Sequence, residues 1–147
     1  MDDIVQGATI LTESRAHPET EVNPVRKIGI IGAGQMGSGI AHVCSLAGFN
    51  VLLNDVAPDR IKAGIATING NMARQVSRKR ITEEERQAAL KRITPAESID
   101  AFSDCDLVIE AATEKEDLKR LIFANVCPVL KPEAILGTNT SSISITR

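Results

Sequence analysis

Gly32, Gly34 and Gly37 form a G-x-G-x-x-G pattern inside "KIGIIGAGQMGSGIAHVCSLAGFNVLLNDV", residues 27–56, and Asp55 stands at the end of that stretch. Glycines at this spacing, followed about 20 residues later by an acid, suit the cradling of a dinucleotide. The first glycine permits a tight turn, the second lets backbone approach a pyrophosphate, and the third lets a helix pack closely on a strand. Unpaired N–H groups at a helix start then face the phosphate charge. An aspartate at the second strand end would accept the ribose hydroxyls of adenosine and repel a 2′-phosphate, which favours NAD over NADP.

The motif works only if a strand precedes it and a helix follows. "KIGIIG" (27–32) is a short apolar run rich in β-branched residues and ends on glycine, as a buried strand would. "QMGSGIAHVCSLAG" reads as a helix, with Met36, Ile40, Val43, Cys44 and Ala47 at helical spacing and Gly48 at its C-terminal end. "NVLLND" (50–55) is a second strand. Pro58 opens a long helix with Ile61, Ile65, Ile68, Met72 and Val76 on one face and basic residues near its end at 78–80. "TEEE" (82–85) predicts a capping box for a further helix to about Arg92, with Thr82 as cap and Glu85 reaching back.

Further strands are expected near Ile93, over "CDLVIEAA" (105–112) and near 134–138. Between the last two, "KEDLKRLIFANVCPVL" is amphipathic, with Leu118, Leu121, Ile122 and Val126 on one side. Apolar strands alternating with helices predict an α/β fold: an open, doubly wound parallel sheet buried on both faces. Residues 1–25 are polar, with prolines and no sustained period, and read as a flexible leader ahead of a domain at 26–147.

The 147-residue chain is 43% hydrophobic and 24% charged, with a net charge of −2, which argues against nucleic acid or an anionic membrane as partner. No apolar run approaches the roughly 18 residues of a membrane span. The acidic leader resembles neither a secretory signal nor a mitochondrial presequence. Cys44, Cys105 and Cys127 are scattered, which fits small buried thiols in a reducing cytoplasm better than a disulfide frame or a metal site.

Three segments in order, "KIGIIGAGQMGSGIAHVCSLAGFNVLLND", "CDLVIEAATEKEDLKRLIF" and "GTNTSSISIT", resemble the short-chain (S)-3-hydroxyacyl-CoA dehydrogenases, over about residues 26–147. The resemblance implies a Rossmann NAD-binding fold and NAD-dependent oxidation of (S)-3-hydroxybutyryl-CoA to acetoacetyl-CoA, or the reverse, in fatty-acid or butanoate metabolism. Residue by residue, it assigns Gly32, Gln35, Met36 and Gly37 to the pyrophosphate loop and Asp55 to the adenosine ribose. It assigns Glu114 to the nicotinamide side and Lys119 to a place between cofactor and thioester substrate. Ser141, the first serine of "NTSS", matches a catalytic-site hydroxyl that contacts substrate and nicotinamide. Asn71 and Arg78, on the long helix, match positions touching the coenzyme A tail.

Alcohol oxidation by NAD also needs a base for the hydroxyl proton. In the family it is a histidine held by a glutamate, near an H-F-F-N-P stretch that follows "NTSS". Neither His17 nor His42 matches it, and His42, on the first helix, reads as structural. By resemblance, the sequence stops before the family's helical second domain, which closes the site and forms a homodimer. The expected behaviour is NAD binding without turnover, with "AILG" left as an exposed apolar sheet edge prone to self-association. Competing readings are a β-hydroxyacid dehydrogenase on the same fold, the dehydrogenase part of a multifunctional fatty-acid oxidation protein, and a non-catalytic NAD-binding module.

Overall fold

The computed structural model describes residues 25–113 and 115–138. Five strands, β1 (Lys27–Ile31), β2 (Asn50–Asn54), β3 (Ile93–Ala96), β4 (Leu107–Glu110) and β5 (Ile135–Thr138), form one sheet in the order β3-β2-β1-β4-β5. Every pairing is parallel, and Ile30 of β1 sits between Leu53 of β2 and Ile109 of β4. Ile30 and Leu53 have no exposed surface, as central strands covered on both faces require. The chain builds outward from β1 to β3, then returns to β4 on the other side of β1. The switch point therefore lies between the C-terminal ends of β1 and β4, where open α/β sheets bind ligands.

Four helices cross between the strands: α1 (Gln35–Leu46), α2 (Pro58–Ser77), α3 (Glu83–Arg92) and α4 (Glu116–Val126). One face of the sheet packs Ile28, Ile30 and Leu53 against Ile61, Ile68 and Met72 of α2. The other packs Ile31, Leu52 and Val108 against Phe102 and Val126. The capping box of α3 forms as its sequence predicts: Thr82 Oγ1 accepts the Glu85 N–H at 3.0 Å, and the Thr82 N–H donates to Glu85 Oε1 at 2.8 Å. β3 contains Pro95, tolerated because β3 is an edge strand among the described residues.

Some expectations do not hold. The apolar stripe of α1 is not its buried face. Met36 and Val43 are exposed, while Gly37, Ser38, Ala41 and Ser45 are buried. Small residues win because the start of α1 lies so close to the β1 turn that larger ones have no room. On α4, Leu118 and Leu121 are exposed, and Lys119 and Val126 point inward. The fourth strand is shorter than 105–112, and a 3-10 helix at Ile99–Asp104 precedes it. Cys105 is buried, Cys44 is half-buried and Cys127 is exposed, so burial does not describe all three thiols. Among the described residues no group of histidine, cysteine and acidic side chains is placed to hold a metal, and no helix is long and apolar enough to cross a membrane.

Candidate functional site

The glycine turn occupies the gap between β1 and α1. Gly32 has φ of +110°, and a Cβ there would lie 2.7 Å from Ala112 Cα, so only glycine suits the position. A Cβ on Gly37 would fall 1.6 Å from the Gly32 carbonyl oxygen, and this close approach seats α1 on the sheet. Around Gly34 the situation is reversed: nothing lies within 4 Å of where its Cβ would be. Gly34, Gln35 and Met36 are all exposed. Gly34 caps α1 with no side-chain hydrogen bond, and the first turn holds no acid. Helix-start N–H groups therefore face open space, an arrangement that fits a pyrophosphate.

Asp55 follows β2 beside this turn. It is buried, its Oδ2 accepts the Ala33 N–H at 2.9 Å, and its Oδ1 accepts the Ala57 N–H at 3.0 Å. Each carboxylate oxygen offers about two lone-pair sites, so one on each remains for a ribose hydroxyl. A cleft of about 450 Å³ separates the turn from α2, lined by Ala33, Gly34, Gln35 and Ser38 on one side and by Arg60, Gly64 and Thr67 on the other. Ser38 Oγ donates to the Ala33 carbonyl at 3.0 Å and fixes the turn from within.

At the other side of the switch point, Lys119 is not a solvated surface lysine. Its ammonium is buried and donates to Glu110 Oε1 and, at 3.0 Å, to Thr138 Oγ1. Thr138 Oγ1 in turn donates to Glu110 Oε1 at 2.8 Å. Glu110 Oε2 accepts the N–H groups of Ala112 and Thr113 at 2.7 and 3.0 Å. Burial pushes the Glu110 carboxyl pKa up, but hydrogen bonds from Lys119, Thr138 and the two backbone N–H groups outweigh it and leave it below the usual value.

The structure thus brings Gly32, Gly34, Gln35, Met36, Gly37, Asp55 and Lys119 to the C-terminal side of the sheet. It does not bring Asn71 or Arg78 there. Both lie in or just after the second half of the 20-residue α2, where Asn71 Oδ1 accepts from Arg74 and Arg78 is an exposed C-cap. Arg78 is roughly 30 Å along the helix from Pro58, at 1.5 Å per residue. Glu114 and Ser141 lie outside the described residues. His42 packs between helices, its Nε2 2.7 Å from Gln75 Oε1, in keeping with a structural role. The sequence reading missed Glu110 and Thr138. A carboxylate ending the otherwise apolar "LVIE" was the available signal.

A parallel doubly wound sheet, a glycine turn at the switch point and an acid at the end of β2 define a dinucleotide-binding domain of Rossmann type. Residues 27–147 match the family model "3-hydroxyacyl-CoA dehydrogenase, NAD binding domain". The chain belongs to this family, whose cofactor is NAD.

Over 123 residues the chain is 65% identical to a 3-hydroxybutyryl-CoA dehydrogenase of Bradyrhizobium diazoefficiens, covering 84% of this chain and 42% of that protein. It is 41% identical over 122 residues to a 3-hydroxyadipyl-CoA dehydrogenase of Escherichia coli, covering 83% of this chain and 26% of that protein. Among solved structures, an (S)-3-hydroxybutyryl-CoA dehydrogenase of Ralstonia eutropha superposes with a TM-score of 0.81 at 40% identity, covering 84% of this chain and 44% of that one. The chain spans less than half the length of these relatives.

Proposed function

We propose that this chain is the NAD-binding half of an NAD-dependent (S)-3-hydroxyacyl-CoA dehydrogenase acting on (S)-3-hydroxybutyryl-CoA and acetoacetyl-CoA. The observation that supports this most strongly is the paired geometry at the switch point: an open helix start at Gly34 beside Asp55, with lone pairs left for a ribose. The substrate follows from likeness to the 3-hydroxybutyryl-CoA dehydrogenases. NAD supplies the hydride acceptor when bound. The chain's own residues bind and orient it: the N–H groups at the start of α1 take the pyrophosphate, and Asp55 takes the adenosine ribose.

With Asp55 over β2, the nicotinamide half lies over β4 and β5, beside Lys119; Glu114 and Ser141 are assigned to it by family resemblance alone. Asn71 and Arg78 would meet the coenzyme A tail along α2. A homodimer of the complete enzyme, in a reducing cytoplasm that suits cysteines unpaired among the described residues, completes the reading.

His42 is the one histidine among the described residues, and it is engaged with Gln75. Among the described residues no histidine is therefore placed to act as the base, and the proposal is that residues 1–147 bind the cofactor without turnover. Purified chain should bind NADH saturably and consume none of it when acetoacetyl-CoA is added. Absence of NADH binding would contradict the cofactor assignment, and steady consumption would contradict binding without turnover.

A further inference from the structure

The Glu110 carboxylate is fully occupied. Its Oε1 accepts from Lys119 and Thr138, and its Oε2 from the Ala112 and Thr113 N–H groups. That uses the roughly four acceptor sites a carboxylate has, and the residue has no exposed surface. Glu110 can neither contact a ligand nor move a proton without giving up a partner. Whatever it does, it does through the groups it holds.

Those groups converge on one place. The Ala111–Ala112 backbone touches Gly32, and the Ala111 N–H donates to the Ile31 carbonyl at 2.8 Å. Thr138 ends β5 and Lys119 comes from α4. Glu110 therefore ties β4, β5, α4 and the loop after β4 together at the switch point. A buried ion pair is a poor way to stabilise a fold, because its desolvation cost often exceeds its attraction and apolar residues of similar volume do as well. Its position at the ligand-binding edge, not its energy, is what sets it apart. Two of the three Lys119 N–H groups are spent on Glu110 and Thr138, which fixes the direction of the third.

We propose that Glu110, with Thr138, is a positioning residue for the nicotinamide half of the cofactor: it locks the Lys119 ammonium and the Ala112–Thr113 backbone in one arrangement at the β4–β5 side of the switch point. This rests on the NAD-binding reading above. Adenosine over β2 is held by a separate group, Asp55, so the two halves can be tested apart.

The experiment compares the affinities of NADH and ADP-ribose, which lacks the nicotinamide, for the wild-type chain and for the Glu110→Gln and Thr138→Val variants. Far-UV circular dichroism and thermal unfolding report whether each is folded. Loss of a charge-assisted hydrogen bond should weaken NADH binding by roughly tenfold or more, with ADP-ribose affinity unchanged within about twofold. Thr138→Val keeps the shape of the side chain and decides the matter if Glu110→Gln does not fold. Folded variants that bind NADH as the wild type does, or that lose both ligands in proportion, would overturn the positioning role alone. A wild-type chain that binds neither ligand would overturn the cofactor reading and this role with it.

Discussion

The Asp55 carboxylate accepts the Ala33 N–H at 2.9 Å, so the acid after β2 and the glycine turn after β1 are one unit. The acid proposed to recognise ribose also sets the shape of the loop proposed to hold the pyrophosphate. Asp55→Asn keeps the size but replaces one accepting oxygen with a donor, leaving either Ala33 or Ala57 without its partner. The expected cost is about 1–3 kcal/mol of stability, seen in urea unfolding. NADH affinity should fall at least tenfold, and preference over NADPH should shrink because the charge that repels a 2′-phosphate is gone. A variant with unaltered NADH preference would show that Asp55 only shapes the turn.

Gly34 and Gly37, on the same turn, should respond in opposite ways. Gly37→Ala puts a methyl on top of the Gly32 carbonyl. It should cost about 3 kcal/mol or more and abolish a cooperative thermal transition if that exceeds the margin of the domain. Gly34→Ala meets nothing in the protein. Its thermal midpoint should stay within a few degrees of wild type, on the order of ±0.5 kcal/mol, while NADH binding weakens because the methyl enters the space left for the pyrophosphate.

Acid stability should depend on the opposite end of the sheet. Lys131, then the Arg26 and Lys27 N–H groups, hold the Asp106 carboxyl down at about 2. An unfolded aspartate titrates near about 3.9. A carboxylate depressed on folding stabilises the native state fully above its unfolded value, and that contribution fades as pH falls toward the folded one. Glu110, also depressed, acts in the same direction. Urea midpoints should therefore hold steady above about pH 5 and decline as pH falls to about 2. Asp106→Asn should be less stable than wild type at neutral pH and should converge with it at the acid end. A constant gap between the two across that range would contradict the assignment.

Ile135 is 58% exposed on β5, an edge strand among the described residues. An apolar edge offers unpaired backbone groups to a second copy. The 147-residue chain should self-associate with rising concentration in light scattering, and Ile135→Lys should reduce this. A monomer at high concentration would show that the edge is protected.

The fold was legible because the signals were redundant. Apolar runs, glycine punctuation and the Thr82–Glu85 box each placed an element independently. The side of a helix that faces inward was less legible. Hydropathy assigns Met36 and Val43 of α1 to the core. Close seating on the β1 turn instead selects Gly37, Ser38 and Ala41, and that distance is a tertiary property no window of sequence contains. Lys119 was placed at the site by resemblance, and its burial was not legible. A lysine on an amphipathic helix reads as solvated until its counter-charge is known, and that charge stands nine residues away on another element. Motif spacing found Gly32, Gly34, Gly37 and Asp55. The cluster of Glu110, Lys119 and Thr138 exists only once β4, α4 and β5 are assembled.

The central claim, that residues 27–56 form a working NAD site, is tested most directly by titrating the wild-type chain with NADH and with NADPH and following nicotinamide fluorescence. The chain contains no tryptophan or tyrosine, so its own emission scarcely interferes. Saturable NADH binding with clearly weaker NADPH binding is the expected result. Equal binding of the two would contradict the role of Asp55, and binding of neither by a folded chain would contradict the site itself.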